Sequence, residues 1–264
     1  MLLFDSHCHF DFEAFDNDRE SLWHACNKRG VRYLIIPGVA PEQWQKADDV
    51  ARAYNNIYIG VGLHPWWVEK MLAPENIENY LADIKTKLSA NISLEKCVAV
   101  GECGLDAFIE TPMQLQQQVL DVHLQLAQEI AMPLIIHCRK GHNELFVQLS
   151  KYNLPAGGVI HAFSGSYELA ARYWSMGFRL GIGGTITYER ANKTREAVKK
   201  LPLESLLLET DAPDMPLQGR QGQRNTPESI SDIAHTLAEL RYESLEKIAT
   251  QTTLNSKTLF KIKH

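Results

Sequence analysis

A (β/α)₈ TIM barrel, an α/β fold, is what this sequence predicts, and three observations predict it. Eight short β-rich runs alternate with longer helical patterns from one end to the other. No linker-like Ser/Gly/Pro stretch divides them, and the length of 264 residues is close to the ~250 typical of such a barrel. The runner-up, a doubly wound sheet, calls for a GxGxxG after the first strand, and none is present there.

The elements run in order. Leu2–His7 reads as the first strand, and the helical pattern over about Arg19–Arg29 closes at Gly30. Tyr33–Pro37 leads into Pro41–Tyr54, with Pro41 in the first turn. Ile57–Leu63 precedes Pro74–Leu88, where Pro74 takes the same position. Cys97–Glu102 precedes a long amphipathic stretch: Leu115, Val119, Val122, Leu126 and Ile130 form its apolar side, and Gln114, Gln116, Gln117 and Gln118 mark a solvated one. Leu134–Cys138 is followed by Asn143–Tyr152, Gly158–His161 by Tyr167–Met176 with Gly177 behind it, and Phe178–Gly181 by Ala191–Lys200. The eighth strand is Leu206–Glu209. After it come a loop-like segment, Ala212–Asn225, and two helices, about Pro227–Leu240 and Leu245–Leu259. Most strand candidates are short continuous apolar runs, as expected of strands covered on both faces. The whole of 1–264 reads as one domain.

Composition removes several classes. With 45% apolar and 22% charged residues, the chain is not disordered. Its 16 Gly and 11 Pro lack the repeat of a collagen-like or low-complexity chain. No apolar run approaches the ~20 residues needed to cross a bilayer. Met1-Leu2-Leu3-Phe4-Asp5 does not begin a signal peptide. Five cysteines without a CxxC suit a reducing compartment. The expectation is a cytoplasmic protein with no membrane association and no obligate protein partner. At a net charge of −5, nucleic-acid binding would need a local basic patch or bound metal.

Among the ten histidines, placement matters more than number. His7 and His9 end the first strand, His64 the third, His137 the fifth and His161 the sixth, while Glu102 ends the fourth and Asp211 follows the eighth. In a parallel barrel these ends converge on the face where barrel enzymes keep their active sites. Residues i and i+2 of a strand point the same way, so His7 and His9 can grip one metal. Each residue also has a purely structural reading. A lone strand-end histidine is more often a hydrogen-bonded core residue, and for His64 taken alone that reading is favoured. Glu102 can be a salt-bridged carboxylate, and Asp211 can simply open a loop. The coincidence decides for metal, because burying so many ionisable groups together is costly unless cations neutralise the acids and occupy the imidazole lone pairs. Imidazole and carboxylate without thiolate suit Zn, Mn, Fe or Co, and fit Mg or Ca less well. Six ligands exceed the need of one catalytic ion. Two divalent ions sharing a carboxylate, ~3.5–4 Å apart, use them better. Cys8, Cys103 and Cys138 adjoin proposed ligands and are read as packing.

Other segments are weaker signals. Ser164-Gly165-Ser166 opens a helix and can offer N–H groups to a phosphate, although ordinary N-capping is the commoner role. Arg139 and Lys140 follow His137, and Arg220 and Arg224 lie in the loop after the eighth strand. All four can hold phosphate, yet charged loop residues are usually just solvated. Trp66 and Trp67 follow His64-Pro65 and can either stack on a nucleobase or pack a helix. Trp23, Trp44 and Trp174 read as core or half-buried. The tail with Leu245, Ile248, Leu254, Leu259 and Phe260 reads as barrel packing.

With these residues in place the chain resembles the TatD-like deoxyribonucleases, metal-dependent hydrolases within the amidohydrolase-like barrels. The stretches that carry the likeness are Asp5-Ser6-His7-Cys8-His9-Phe10-Asp11, Gly62-Leu63-His64-Pro65, Gly101-Glu102-Cys103-Gly104-Leu105-Asp106, Leu134-Ile135-Ile136-His137-Cys138-Arg139, His161-Ala162-Phe163-Ser164-Gly165 and Leu208-Glu209-Thr210-Asp211-Ala212-Pro213. They run in family order over essentially the whole chain. The resemblance implies a barrel with two divalent ions (Zn, Mn, Mg or similar). It assigns His7, His9, Glu102 and Asp211 to one ion and Glu102, His137 and His161 to the other, with His64 a non-ligand near the scissile phosphate. Three stretches depart from the family pattern: Cys103 where Thr is usual, Ala162 where Cys is usual, and Cys138-Arg139-Lys140-Gly141 in place of Ser-Arg-Asp-Ala. None removes a ligand, but the Lys140-Gly141 change lies on the rim and bears on substrate identity.

The expected activity is hydrolysis of DNA or oligonucleotides by a metal-activated water, with 3'-5' exonuclease action among the family's activities. Asp211 is the expected proton acceptor, Glu102 the bridge, and His64 a hydrogen-bond donor to phosphoryl oxygen or leaving group. Arg139, Ser164, Arg220 and Arg224 are the expected substrate contacts. The alternatives are an amidohydrolase or lactonase using the same machinery on C–N or C–O bonds, and a non-catalytic metal-binding scaffold, against which the intact ligand set argues.

Overall fold

The structure is a computed structural model that describes residues 1–68 and 76–263. Pro74, expected to open a helix, lies outside the described residues. Eight strands form one sheet in the order of the chain: β1 (Leu3–Asp5), β2 (Val31–Ile36), β3 (Ile57–Val61), β4 (Cys97–Asp106), β5 (Leu134–Arg139), β6 (Gly158–Ile160), β7 (Phe178–Ile182) and β8 (Leu206–Leu208). Every neighbouring pair is parallel, so each crossover must return along the outside of the sheet. The returns are α1 (Arg19–Lys28), α2 (Pro41–Ala53), α3 (Ile77–Asn91), α4 (Met113–Ile130), α5 (His142–Leu149), α6 (Tyr167–Ser175) and α7 (Asn192–Lys200). Behind β8 lie α8 (Ile230–Arg241) and α9 (Leu245–Leu259). The predicted TIM barrel is the observed fold. None of the described helices is long and apolar enough to cross a membrane.

Strand alternation divides the core. Leu3, Leu34, Ile36, Ile136 and Ile160 face the helices in the main apolar cluster. Phe4, Ile35, Ala99, Ile135, Val159 and Leu207 form a second cluster inside the barrel with Leu259, Phe260 and Ile262, so the last residue of α9 and the tail beyond it plug one mouth. The opposite mouth is left for polar groups. His137 lies two residues beyond Ile135, His161 two beyond Val159 and Glu209 two beyond Leu207, so each continues the inward face of its strand.

Side chains help to seal β8 against β1. Ser6 N–H donates to the Leu208 carbonyl at 2.9 Å, and Asp211 N–H to the His7 carbonyl at 2.9 Å. The buried Asp5 carboxyl accepts Thr210 N–H (3.0 Å) and meets the Thr210 hydroxyl at 2.6 Å. Burial pushes the Asp5 carboxyl up to about 8 against the opposing pull of these hydrogen bonds.

Two expectations are corrected in detail. The first strand stops at Asp5 rather than at His7, so His7 and His9 stand beyond the ladder and strand alternation does not align them. The fourth strand runs past Glu102 to Asp106. Its pairing with β5 shifts register between Val100 and Cys103, and Glu102 sits in that irregularity with its N–H donating to the Gly38 carbonyl at 2.7 Å. A register shift of this kind re-aims a side chain relative to its neighbours. Gly104, at φ 149°, lets β4 lie against β5 there, since a Cβ would come within 1.9 Å of the His137 carbonyl oxygen.

Candidate metal centre

Seven side chains meet at the polar mouth. His7 Nε2 lies 3.2 Å from Glu102 Oε2 and 3.4 Å from Asp211 Oδ1. His9 Nε2 is 3.5 Å from the same Asp211 oxygen. Around the other oxygen of Glu102, Oε1, stand His161 Nε2 at 2.8 Å, His137 Nδ1 at 3.3 Å and His64 Nε2 at 3.3 Å. Glu102 thus presents one oxygen to each half of the cluster. Three groups have ligand atoms within 4.8 Å of one another and could hold an ion: His7, His9 and Asp211; His7, Glu102 and His161; His64, Glu102 and His137. All six residues expected as ligands, and His64, are therefore brought together.

The hydrogen bonds sort these histidines. His7 is wholly buried, and neither ring nitrogen has a hydrogen-bond partner. A buried lone pair without a donor is expensive, and a cation satisfies it. His137 Nε2 faces Asp106 Oδ2 at 3.3 Å. A proton held there leaves the Nδ1 lone pair aimed at Glu102 and His161, the arrangement in which an outer carboxylate orients a metal-ligating imidazole. Glu209 stands behind His161 in the same way, 3.7 Å from Nδ1. Gly181 makes room for it, because a Cβ there would lie 2.0 Å from Glu209 Oε2. His64 is different. Its Nδ1 accepts the Trp66 N–H at 3.1 Å, so in the neutral ring Nε2 carries the proton and can only donate. Burial drives its pKa down to about 3, only partly offset by the charge of Glu102, which keeps it neutral.

The carboxylates stay ionised. Burial raises Asp211, but the His9 hydrogen bond and the charges of His161, His7 and His9 outweigh it and hold the carboxyl at about 2. Glu102 is likewise held well below the usual range: the charge of His161 and the hydrogen bond with His137 are among the influences that overcome a large burial penalty. Asp211 also occupies the left-handed backbone region at φ 55°, uncommon for a residue other than Gly.

Two carboxylates of this centre escape a reading of the sequence alone. Asp106 accepts the Trp66 indole N–H at 2.8 Å on the oxygen that faces His137, and its other oxygen accepts Phe108 N–H at 2.8 Å. Gln116, expected on the solvated side of α4, is instead buried and fixes the backbone of Asp106 from both sides. Glu209 had a usable signal, namely its place two residues beyond an inward-facing leucine. His123 lies within α4, away from the strand ends. It is fully buried, donates from Nδ1 to the Val119 carbonyl (2.8 Å) and accepts the Leu63 N–H at Nε2 (3.0 Å), one residue before His64.

The expected substrate contacts differ in availability. Arg139 is exposed, its guanidinium stacks on Phe108 at 4.4 Å, and it has no carboxylate partner among the described residues. Arg220 is paired with Asp232 at 2.8 Å. Arg224 is paired with Asp18 through both terminal nitrogens and also donates to the Ala14 carbonyl. Ser164 is exposed, with its hydroxyl 3.4 Å from that of Thr194, while Ser166 caps α6 by accepting Leu169 N–H. Cys8 and Cys103 turn their thiols to the carbonyls of Ala212 and Ile135, away from the cluster.

Barrel and cluster together are those of a metal-dependent hydrolase. Residues 4–261 match the family described as TatD related DNase, and the chain belongs to that family. It is 42% identical to the Escherichia coli K12 protein called uncharacterized metal-dependent hydrolase YjjV, over 98% of this chain and 97% of that one. The crystal structure of that TatD homologue superposes with a TM-score of 0.90, covering 99% of this chain and 98% of the other. The chain is also 32% identical to a Pantoea ananatis protein named 3'-5' ssDNA/RNA exonuclease TatD, over 98% of this chain and 99% of that one.

Proposed function

We propose that this chain is a two-metal phosphodiesterase that hydrolyses DNA or short oligonucleotides from the end of a strand. The observation that carries the reading is the division of Glu102, with one oxygen toward His7, His9 and Asp211 and the other toward His137 and His161. His7, His9, Asp211 and one Glu102 oxygen would hold the first ion, and His137, His161 and the other oxygen the second. The bound ions would supply positive charge to a phosphoryl oxygen and lower the pKa of the attacking water. Asp211, ionised across the neutral range, takes the proton from that water. His64 donates a hydrogen bond from Nε2 to a phosphoryl or leaving-group oxygen, and as a neutral ring it contributes no cation. Arg139 and Ser164, both exposed and without a carboxylate partner among the described residues, would hold a phosphate. Arg220 and Arg224 can do so only by giving up Asp232 and Asp18. The name of the Pantoea relative supports an exonuclease acting on single strands.

The test is to incubate metal-loaded protein with end-labelled single- and double-stranded DNA beside a panel of lactones and amides. Progressive shortening of the single strand is expected. Efficient turnover of a lactone or amide, with DNA intact under every metal tried, would replace this reading with the amidohydrolase alternative.

A further inference from the structure

The mouth of the barrel carries an aromatic surface at the ends of β3 and β4. Trp66, Trp67 and Phe108 are 51%, 45% and 60% exposed, in a protein that buries most of its large apolar side chains. Trp66 and Trp67 are ring neighbours, and Asp106 links the Trp66 indole to the backbone of Phe108. The Trp66 and Trp67 rings lie 6.3 Å apart and 22° from parallel, and both stand against the His64 ring at 5.5 and 5.6 Å. Trp66 has no spare polar edge. Its backbone N–H goes to His64 and its indole N–H to Asp106. What it offers to solvent is ring surface, held in a fixed orientation by the two residues that flank the reacting centre. The Arg139 guanidinium stands over the Phe108 ring, with no carboxylate partner among the described residues.

We infer that Trp66, with Trp67, Phe108 and Arg139 around it, is a stacking subsite for an unpaired nucleobase beside the scissile phosphate, an inference that rests on the phosphodiesterase reading. A base presents a flat π-face whatever its identity, and an aromatic platform beside a free guanidinium matches a base followed by its phosphate. A paired base in a duplex has no free face, so this surface selects single strands. The overall negative charge of the chain gives little long-range attraction to a polyanion, which leaves local stacking to carry recognition.

The test is equilibrium binding to the full-length protein in EDTA, where no hydrolysis occurs. The probes are a fluorescently labelled oligo-dT, an abasic strand with the same number of phosphates, and a blunt hairpin. Oligo-dT is expected to bind at least ~10-fold more tightly than the abasic strand or the hairpin. Trp66→Ala should remove most of that difference and leave abasic binding unchanged. Trp66→Phe, which keeps a ring but loses the bond to Asp106, should retain most of it. Arg139→Ala should weaken dT and abasic strands by the same factor. Equal binding of dT and abasic strands, no binding of dT, or equal loss of both in Trp66→Ala protein of wild-type melting temperature would overturn the subsite. Base-dependent binding without hydrolysis under any metal would sink the phosphodiesterase reading and leave the subsite standing. DNA hydrolysis with an unchanged KM in Trp66→Ala would do the reverse.

Discussion

His7 and His123 are equally buried and differ in everything else. Neither exposes any surface. His123 spends both ring nitrogens on neutral backbone partners, donating to Val119 and accepting from Leu63, and needs nothing further. His7 has no hydrogen-bond partner on either nitrogen, and its Nε2 is crowded by two carboxylate oxygens. Burial therefore does not separate a structural histidine from a candidate ligand. The state of its lone pairs does, since an orphaned lone pair in a dry site is tolerated only when a cation fills it. The two also act at different levels. His7 belongs to the candidate metal cluster, and His123 holds the backbone that presents His64.

If this division is right, damage to the cluster should strike chemistry and damage to His123 should strike the fold. The largest effect is expected from Asp211→Asn, which keeps the shape but loses the charge and most of the basicity. Hydrolysis of end-labelled single-stranded DNA should fall at least ~10²-fold with the circular-dichroism spectrum unchanged. Near-wild-type turnover in metal-saturated enzyme would remove Asp211 from any essential role. Next comes metal itself. Wild-type protein melted in EDTA and again with Mn or Zn at a hundred times its Kd should gain about 2.7 kcal/mol for each ion bound. His7→Ala should lose the share of the ion it helps to hold, and His123→Gln should keep the whole gain. An equal gain in all three proteins would place the metal elsewhere.

The smaller effects concern His123. His123→Leu leaves the buried Leu63 N–H without an acceptor, which should cost roughly 1–3 kcal/mol in urea denaturation and leave metal affinity intact. Burial lowers the His123 pKa to about 4 from an ordinary 6.5, so the folded protein holds this ring neutral where the unfolded chain protonates it. Its contribution to stability is complete above pH 6.5 and is lost as pH falls from 6.5 toward 4. The difference between wild type and His123→Gln across that window isolates it from the cluster histidines. A wild-type minus variant difference that stays flat from pH 7 to 4 would show that His123 does not titrate in this way.

The barrel and the seven central residues were legible because period and placement are written along the chain. Eight apolar runs, each with a helix behind it, leave little choice of fold, and a histidine at a strand's end has one mouth to face. What stayed hidden depends on contacts between distant segments. Asp106 reads as a flanking acid until β4 is seen to run past Glu102 and bring it to His137, 31 residues on. The register shift that aims Glu102 breaks the alternation from which sequence reasoning works. Arg220 and Arg224 read like Arg139 as loop cations, yet Arg224 finds its carboxylate on Asp18, 206 residues away. Availability, not charge, distinguishes a free phosphate contact from a structural one, and a sequence states only the charge.

The seam between β1 and β8 bears on how the protein is made. Asp5 clasps Thr210 across 205 residues, and the cluster draws His7 and His9 from one end of that span and Asp211 from the other. The set of His7, His9 and Asp211 is therefore complete only after the ribosome has passed β8. Until β8 arrives, the growing sheet keeps β1 and β7 as open edges, which invite pairing with other chains. Metal capture at that set would then be a late event in biosynthesis, and it would report that the ring has closed.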